Sequence, residues 1–312
     1  MNTERQETKT APRQAERAGS RSALPGGASL CESLATEGGD CKAFTLLELL
    51  VVLTTTVILA AMLLPAMADT KPDSRAFQCL NNQRRLALAW SMYASDNNDS
   101  LPINSDPIVQ NSFLYNGKPS WVSGIEDWTA GQYDTNVVYL IDDRFSLLGS
   151  YVNRSPKVFH CPADISLSPV QHARGWAHRA RSVAMDGAVG DGNKYQSFPF
   201  SSTYWWAKKS SDLTVPGPGS SWVFTDEHPD SIDDSIMYVY SGYTNGAGQF
   251  TELPASYYNG ACGMGFADGH VIMHKWQSPT TVRGVNYTYV NRLEVTNDPD
   301  LAWLAQHTPR KN

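Results

Sequence analysis

The apolar and polar positions are unevenly spread along this chain. Residues 1–42 are rich in Gly, Ala, Ser, Glu and Arg and nearly lack large apolar side chains, which predicts a flexible leader. The next stretch, AFTLLELLVVLTTTVILAAMLLPAMA from Ala43 to Ala68, is apolar apart from Thr45, Glu48 and Thr54 to Thr56. A helix needs about 20 mostly apolar residues to cross a bilayer core. The run exceeds the roughly 7–15 residues of a secretory h-region, and it has no wet face of the kind a surface helix shows. The pattern therefore predicts a transmembrane helix over 44–68. Glu48 is the anomaly within it. A charged side chain near the centre of such a helix costs about 2.5–3.5 kcal/mol, so this carboxylate calls for a partner of opposite charge.

After a break near Lys71-Pro72 the spacing of Phe77, Leu80, Leu86, Leu88, Trp90 and Tyr93 predicts a second helical stretch over 69–99. The polar run Asp96-Asn97-Asn98-Asp99 stops it. Beyond it, 100–312 reads as one globular head. Val137, Leu140, Ile141, Phe145, Leu148 and Val152 share a helical face, with Asp134 or Thr135 as its N-cap. Short strands are expected at Val158–Phe159, Ser182–Met185, Trp222–Thr225 and Ile236–Tyr240. Asp268-Gly269 inside CGMGFADGHVIMHKW is a hairpin signal for a two-residue turn. DPDLAWLAQH predicts a closing helix. A helix first and short strands after it predict an α+β fold: a long N-terminal membrane-inserted helix leading into a head with an antiparallel sheet.

Charge narrows the function. Twenty-five Lys and Arg stand against 31 Asp and Glu, a net charge of -6 in 312 residues. Nucleic-acid binding wants a basic surface, so that class is excluded. The AVILMFWYC set makes up 41%, enough to build a core. Mean hydropathy of -0.36 excludes a multi-pass membrane protein but leaves room for one span. No Gly-x-Ser-x-Gly elbow, Walker loop, His-Glu-x-x-His or Gly-x-Gly-x-x-Gly occurs, so the chain does not read as an enzyme.

The residues KAFTLLELLVVL resemble the processing site of type IV pilins and type II secretion pseudopilins, with a small residue before a Phe and a Glu four residues after it. That resemblance implies a prepilin peptidase that removes residues 1–43 by cutting between Ala43 and Phe44, and N-methylation of Phe44. It also implies that Glu48 pairs with the new amine of a neighbouring copy during assembly. Ala43 stands where the family usually has Gly. The resemblance extends to a group of prepilin-like proteins through CLNN, YDTN, CPAD, DEHPDS and the SYYNGACGMGFADGHVIMHKW segment, although Tyr258 stands where that group carries a His ten residues before Asp268. It implies a pilin-like shape, a single-pass location in a bacterial inner membrane with the head in the periplasm, and extracellular exposure after filament assembly. The implied partners are copies of itself or related pseudopilins, the peptidase and a secretion or pilus assembly platform. The rival expectation is a membrane-anchored surface domain that binds glycans or cations and never polymerises.

Three further groups invite chemistry. The acidic loop TDEHPDSIDD brings Asp226 and His228 toward Asp268 and His270 of the hairpin as a candidate metal site. Calcium is the ion that the pseudopilin resemblance implies, and a His favours a transition metal instead. The plain alternative is a solvated turn whose carboxylates bond their own backbone. Cys79 and Cys161 are candidates for a disulfide in an oxidising compartment, or for buried thiols. Trp121, Trp128, Trp205, Trp206 and Trp222 suit either a glycan surface or core packing.

Overall fold

A computed structural model describes residues 45–68, 70–105, 112–191, 206–239 and 247–310, with side chains described outside 60–74. The chain divides into two compact units, Met1–Ala61 and Met62–Asn312. The predicted leader and the cleavage pair Ala43 and Phe44 lie outside the described residues, as does Trp205.

Helix α1 runs over Leu46–Ala68. Thr45 starts it: Glu48 donates its backbone N–H to Thr45 Oγ1 at 3.2 Å, and Glu48 Oε2 accepts from the Thr45 N–H and hydroxyl at 2.9 Å each. This reciprocal pair is a capping box, which satisfies two helix-end donors. Along residues 46–59 the large apolar side chains are exposed, from 83% at Leu46 to 49% at Val52.

In the second unit, helix α2 (Thr70–Asp96) precedes a body of short strands. These are β1 (Leu114–Tyr115), β2 (Lys118–Pro119), β3 (Val183–Asp186), β4 (Trp222–Asp226), β5 (Ile236–Met237), β6 (Ala247–Phe250), β7 (Ala261–Phe266), β8 (Val271–Lys275) and β9 (Leu293–Thr296). Short helices intervene as α3 (Val138–Ile141), α4 (Pro169–Ala173) and α5 (Pro299–His307), with 3-10 turns at Pro156–Phe159 and Ser210–Asp212. The main sheet has the order β5-β3-β4-β7-β8. Its pairs are antiparallel except β3 with β5, which is parallel.

The stripe that α2 buries is Cys79, Gln83, Leu86, Ala87, Ala89, Trp90 and Ala94, recurring at three- and four-residue spacing. Two of the apolar residues that suggested the helix, Phe77 and Leu88, are exposed. The part of this face lined by Cys79, Gln83 and Ala87 lies against β7. A Cβ on Gly263 would sit 2.9 Å from Cys79 Sγ, and one on Gly265 would sit 3.3 Å from the Gln83 carbonyl oxygen. Those two glycines let helix and strand approach, while Cys262, Met264 and Phe266 pack on the opposite face of the sheet with Trp222, Trp276, Leu301 and Leu304. Helix α2 ends where the Asp99 N–H reaches back to the Ala94 carbonyl at 2.9 Å across a left-handed Asn98 at φ 54°, a Schellman-type stop.

The expected fold class does not hold. The body is mostly β-rich with a few short helices, its main sheet is mixed rather than antiparallel, and among the described residues no helix is long and apolar enough to cross a membrane. The long helix that packs on the sheet is the polar one, α2, with Asn81, Asn82, Arg84 and Arg85 along it. Three local expectations also change. The face from Val137 to Val152 forms only the four-residue α3, because Asp142 turns extended and Gly149 folds back onto the Ile141 backbone. Val158–Phe159 belongs to a 3-10 turn rather than a strand. The Asp268-Gly269 hairpin forms, but only Gly269 has a positive φ, 89°, so the loop is not a two-residue type I′ turn. The Gly269 N–H reaches the Phe266 carbonyl at 2.9 Å and the Phe266 N–H reaches the His270 carbonyl at 3.0 Å, giving a three-residue loop closed by a glycine.

Candidate functional site

Three distant segments converge under α2. Cys79 comes from the third turn of α2, Cys161 from the bend after the 3-10 turn, and Asp226 from the end of β4. All three are buried. Cys79 Sγ donates to Asp226 Oδ2 at 2.8 Å, and the Ser182 hydroxyl donates to Asp226 Oδ1 at 3.0 Å. The Cys161 N–H bonds Ser182 Oγ at 2.7 Å, and its sulfur lies 3.1 Å from the Tyr258 hydroxyl. Tyr258 spends its one proton on the Arg75 carbonyl at 3.0 Å. Cys161 is then the donor to Tyr258, and both thiols are protonated in this pattern.

The electrostatics follow from burial. Desolvation lifts the Asp226 carboxyl to about 6, tempered by hydrogen bonding from Cys79 and Ser182 and by the nearby Gln83 amide. Its contact with Cys161, its burial and the negative charge of Asp226 all raise the Cys79 thiol. Burial, then Cys161, raises the Tyr258 hydroxyl. Gln83 is itself buried, and neither polar atom of its amide makes a full hydrogen bond.

Among the described residues, Cys79, Cys161 and Asp226 are the His/Cys/Asp/Glu group of three or more whose ligand atoms lie within 4.8 Å of one another. The metal set expected from sequence is not assembled. Asp226 faces the thiols. His228 is buried two residues on, its Nδ1 accepting from the Asp230 N–H at 3.1 Å and its Nε2 lying 3.3 Å from the Arg283 carbonyl. Asp268 and His270 pair with each other at 2.6 Å on the exposed hairpin tip. Strand geometry separates them: the tip lies beyond the far end of β7 from the segment carrying Cys262 and Gly263.

The disulfide expected between Cys79 and Cys161 is not formed, and the alternative expectation of buried thiols describes both residues. The two are adjacent, but both are free thiols, as is Cys262. Trp121 and Trp222 are fully buried in the core, where a glycan cannot reach them. The residues that complete the cluster, Ser182, Gln83 and Tyr258, carried no short-range signal except Tyr258, which stood out by replacing a His.

Next to the cluster lies a second buried polar group. Glu126 and Asp164 face Arg179 at 3.9 and 3.5 Å, and the Arg181 N–H bonds Glu126 Oε1 at 2.7 Å. Arg179 also stacks on Trp128 with its guanidinium carbon 4.6 Å from the ring centre. Burial pushes Glu126 up to about 7 against the pull of Arg181 and Arg179. Beside α2, a cleft of about 600 Å³ is lined by Gln78, Asn82, Arg85, Lys157, His160 and Pro162 among others, so residues flanking both cysteines reach its wall.

No known protein family, curated protein or solved structure matches this chain.

Proposed function

We propose that this chain is a pilin-like or pseudopilin-like subunit of a bacterial inner-membrane assembly. In this reading a prepilin peptidase cuts it between Ala43 and Phe44, and it assembles with copies of itself or with related subunits. The observation that carries the proposal is the exposed apolar surface of α1. Leu46, Leu47, Leu49, Leu50, Leu53, Val57, Ile58 and Leu59 are each more than half exposed. Contiguous apolar surface of this kind marks an interaction site on proteins that are soluble as monomers. Each such side chain gains about 1.5–3 kcal/mol on full burial, so covering them drives association strongly. The second support is Glu48. Its carboxylate is turned toward the start of the helix by Thr45, the end at which a cut before Phe44 exposes an amine. A neighbour's amine at the same depth would neutralise it.

Mass spectrometry of the N-terminus, on protein recovered from cells that make the assembly, tests the processing step. N-methylated Phe44 as the first residue is the expected result; a chain that begins upstream of Ala43 overturns the proposal. Crosslinking tests assembly. Wild type is expected to give ladders and Glu48→Ala and Glu48→Gln to lose them. Monomers without ladders in the wild type favour the anchored domain that does not polymerise.

A further inference from the structure

We propose that Cys79, Cys161 and Asp226 form a binding site for a thiophilic divalent cation of the zinc class, which staples α2 to the sheet. This goes beyond the assembly reading and does not depend on it.

The donor set fits such an ion. Two sulfurs and one carboxylate oxygen are the ligands that select zinc over calcium or magnesium. A tetrahedral site with bonds of about 2.3 Å to sulfur and about 2.0 Å to oxygen holds its ligand atoms roughly 3.5–3.8 Å apart. The three atoms here already lie within 4.8 Å of one another. The Cys79–Asp226 contact, 2.8 Å as a hydrogen bond, has to open by less than about 1 Å, and the other two separations have to close by no more than about 1.3 Å.

A second observation points to a missing ligand. The Gln83 amide is buried beside Asp226, and neither its oxygen nor its nitrogen makes a full hydrogen bond. It borders the cluster: the point where a Cβ of Gly263 would stand is 2.9 Å from Cys79 Sγ, 3.2 Å from Gln83 Cγ and 3.7 Å from Asp226 Oδ2. Only glycine leaves that space open, and Gln83 Oε1 is the neutral donor available for a fourth bond.

The competing fate of the two thiols is a disulfide. Oxidation would remove the Cys79 proton that Asp226 accepts and leave a buried carboxylate held by Ser182 and no cation, an expensive outcome. Cation binding instead releases both thiol protons to solvent, makes two metal–thiolate bonds and gives the Asp226 carboxylate a direct bond to the ion. Because the ligands lie far apart in sequence, the ion closes two long loops, and its binding energy adds to folding stability.

The test uses the full chain, purified without chelator and loaded with Zn²⁺. Metal content is read by elemental mass spectrometry. Alkylation of the denatured, metal-stripped, unreduced chain then reads the state of each cysteine. The expected result is about one zinc per chain, Cys79 and Cys161 both alkylated, and a lower unfolding midpoint after chelation. Cys161→Ser and Asp226→Asn should each weaken zinc binding at least tenfold, whereas Cys262→Ser, which alters a buried thiol bonded to Thr225 outside the triad, should retain it. Co²⁺ in place of zinc should give a thiolate charge-transfer band that Cys161→Ser diminishes. A Cys79–Cys161 crosslink, or free thiols with no bound metal in the wild type, overturns the proposal whether or not the variants fold.

Discussion

Around Arg179 the protein buries Glu126 and Asp164 and answers them with guanidinium groups. Around Cys79 it buries Asp226 and answers it with one thiol and a hydroxyl. The first cluster supplies its own counter-charge and also has Trp128 beneath Arg179, so its polarity is spent on holding residues 126, 164 and 179 in register. The second holds its carboxylate with donors that can give up a proton. That difference separates a cluster that fastens the fold from one built to exchange a proton for a cation.

The largest expected effect follows from removing the counter-charge. Arg179→Met leaves Asp164, and above about pH 7 Glu126 as well, buried without a cation, and breaking a buried pair in this way costs about 3–5 kcal/mol. In metal-free buffer Asp226→Asn removes a buried charge and keeps the shape, so it should cost only about 1 kcal/mol, the value of a hydrogen bond. Urea unfolding of both variants measures the contrast. Equal losses would erase the distinction between the clusters.

Acidity sharpens it next. Glu126 ionises near its ordinary 4.5 in the unfolded chain and at about 7 in the fold. The folded form therefore holds the proton over that interval while the unfolded form has lost it. Stability from this group is complete below about pH 4.5 and is lost as the pH rises through about 7. The shift corresponds to something on the order of 3 kcal/mol. His160 runs the other way. Burial lowers it to about 4, so its contribution is present above its ordinary 6.5 and is lost as the pH falls through about 4. Glu126→Gln should consequently gain stability relative to wild type, by on the order of 3 kcal/mol, between pH 4.5 and 7. Thermal midpoints of the two proteins at matched pH values give the difference directly, and parallel curves would show that Glu126 is ionised throughout.

What could be read from the sequence was local. The Asp298-Pro299 start of α5 was legible because the Asp298 side chain accepts from the Asp300 and Leu301 N–H groups at 3.0 Å each, a cap made within four residues. The polar stop after Asp96 was legible for the same reason. The thiol cluster was only half legible: cysteine count and compartment suggested Cys79 with Cys161, but Asp226, Ser182 and Gln83 arrive from other elements, and no spacing rule reports that. The buried face of α2 is legible at Leu86 and Trp90, which are buried as their spacing predicts, whereas a strand pressed on a helix selects small residues such as Ala87 and leaves Phe77 and Leu88 outside.

The last contrast uses the two kinds of glycine on the β7–β8 hairpin. Gly263→Ala places a methyl 2.9 Å from Cys79 Sγ, inside any permitted contact, so the roof of the thiol cluster must shift; overpacking of this sort costs about 1–3 kcal/mol. Gly269→Ala meets open space, and only its φ of 89° resists a side chain, which costs about 1 kcal/mol. The two losses differ little in size, so stability alone separates them poorly. The state of the cluster separates them well. If Gly263 is there to keep room for the cysteines, its alanine variant should alter thiol reactivity or metal content, while Gly269→Ala, at the far end of the hairpin, should leave both as in the wild type. An identical response from the two variants would mean that the close approach of β7 to α2 serves packing alone, and the thiol cluster would then lose its claim to be anything but core.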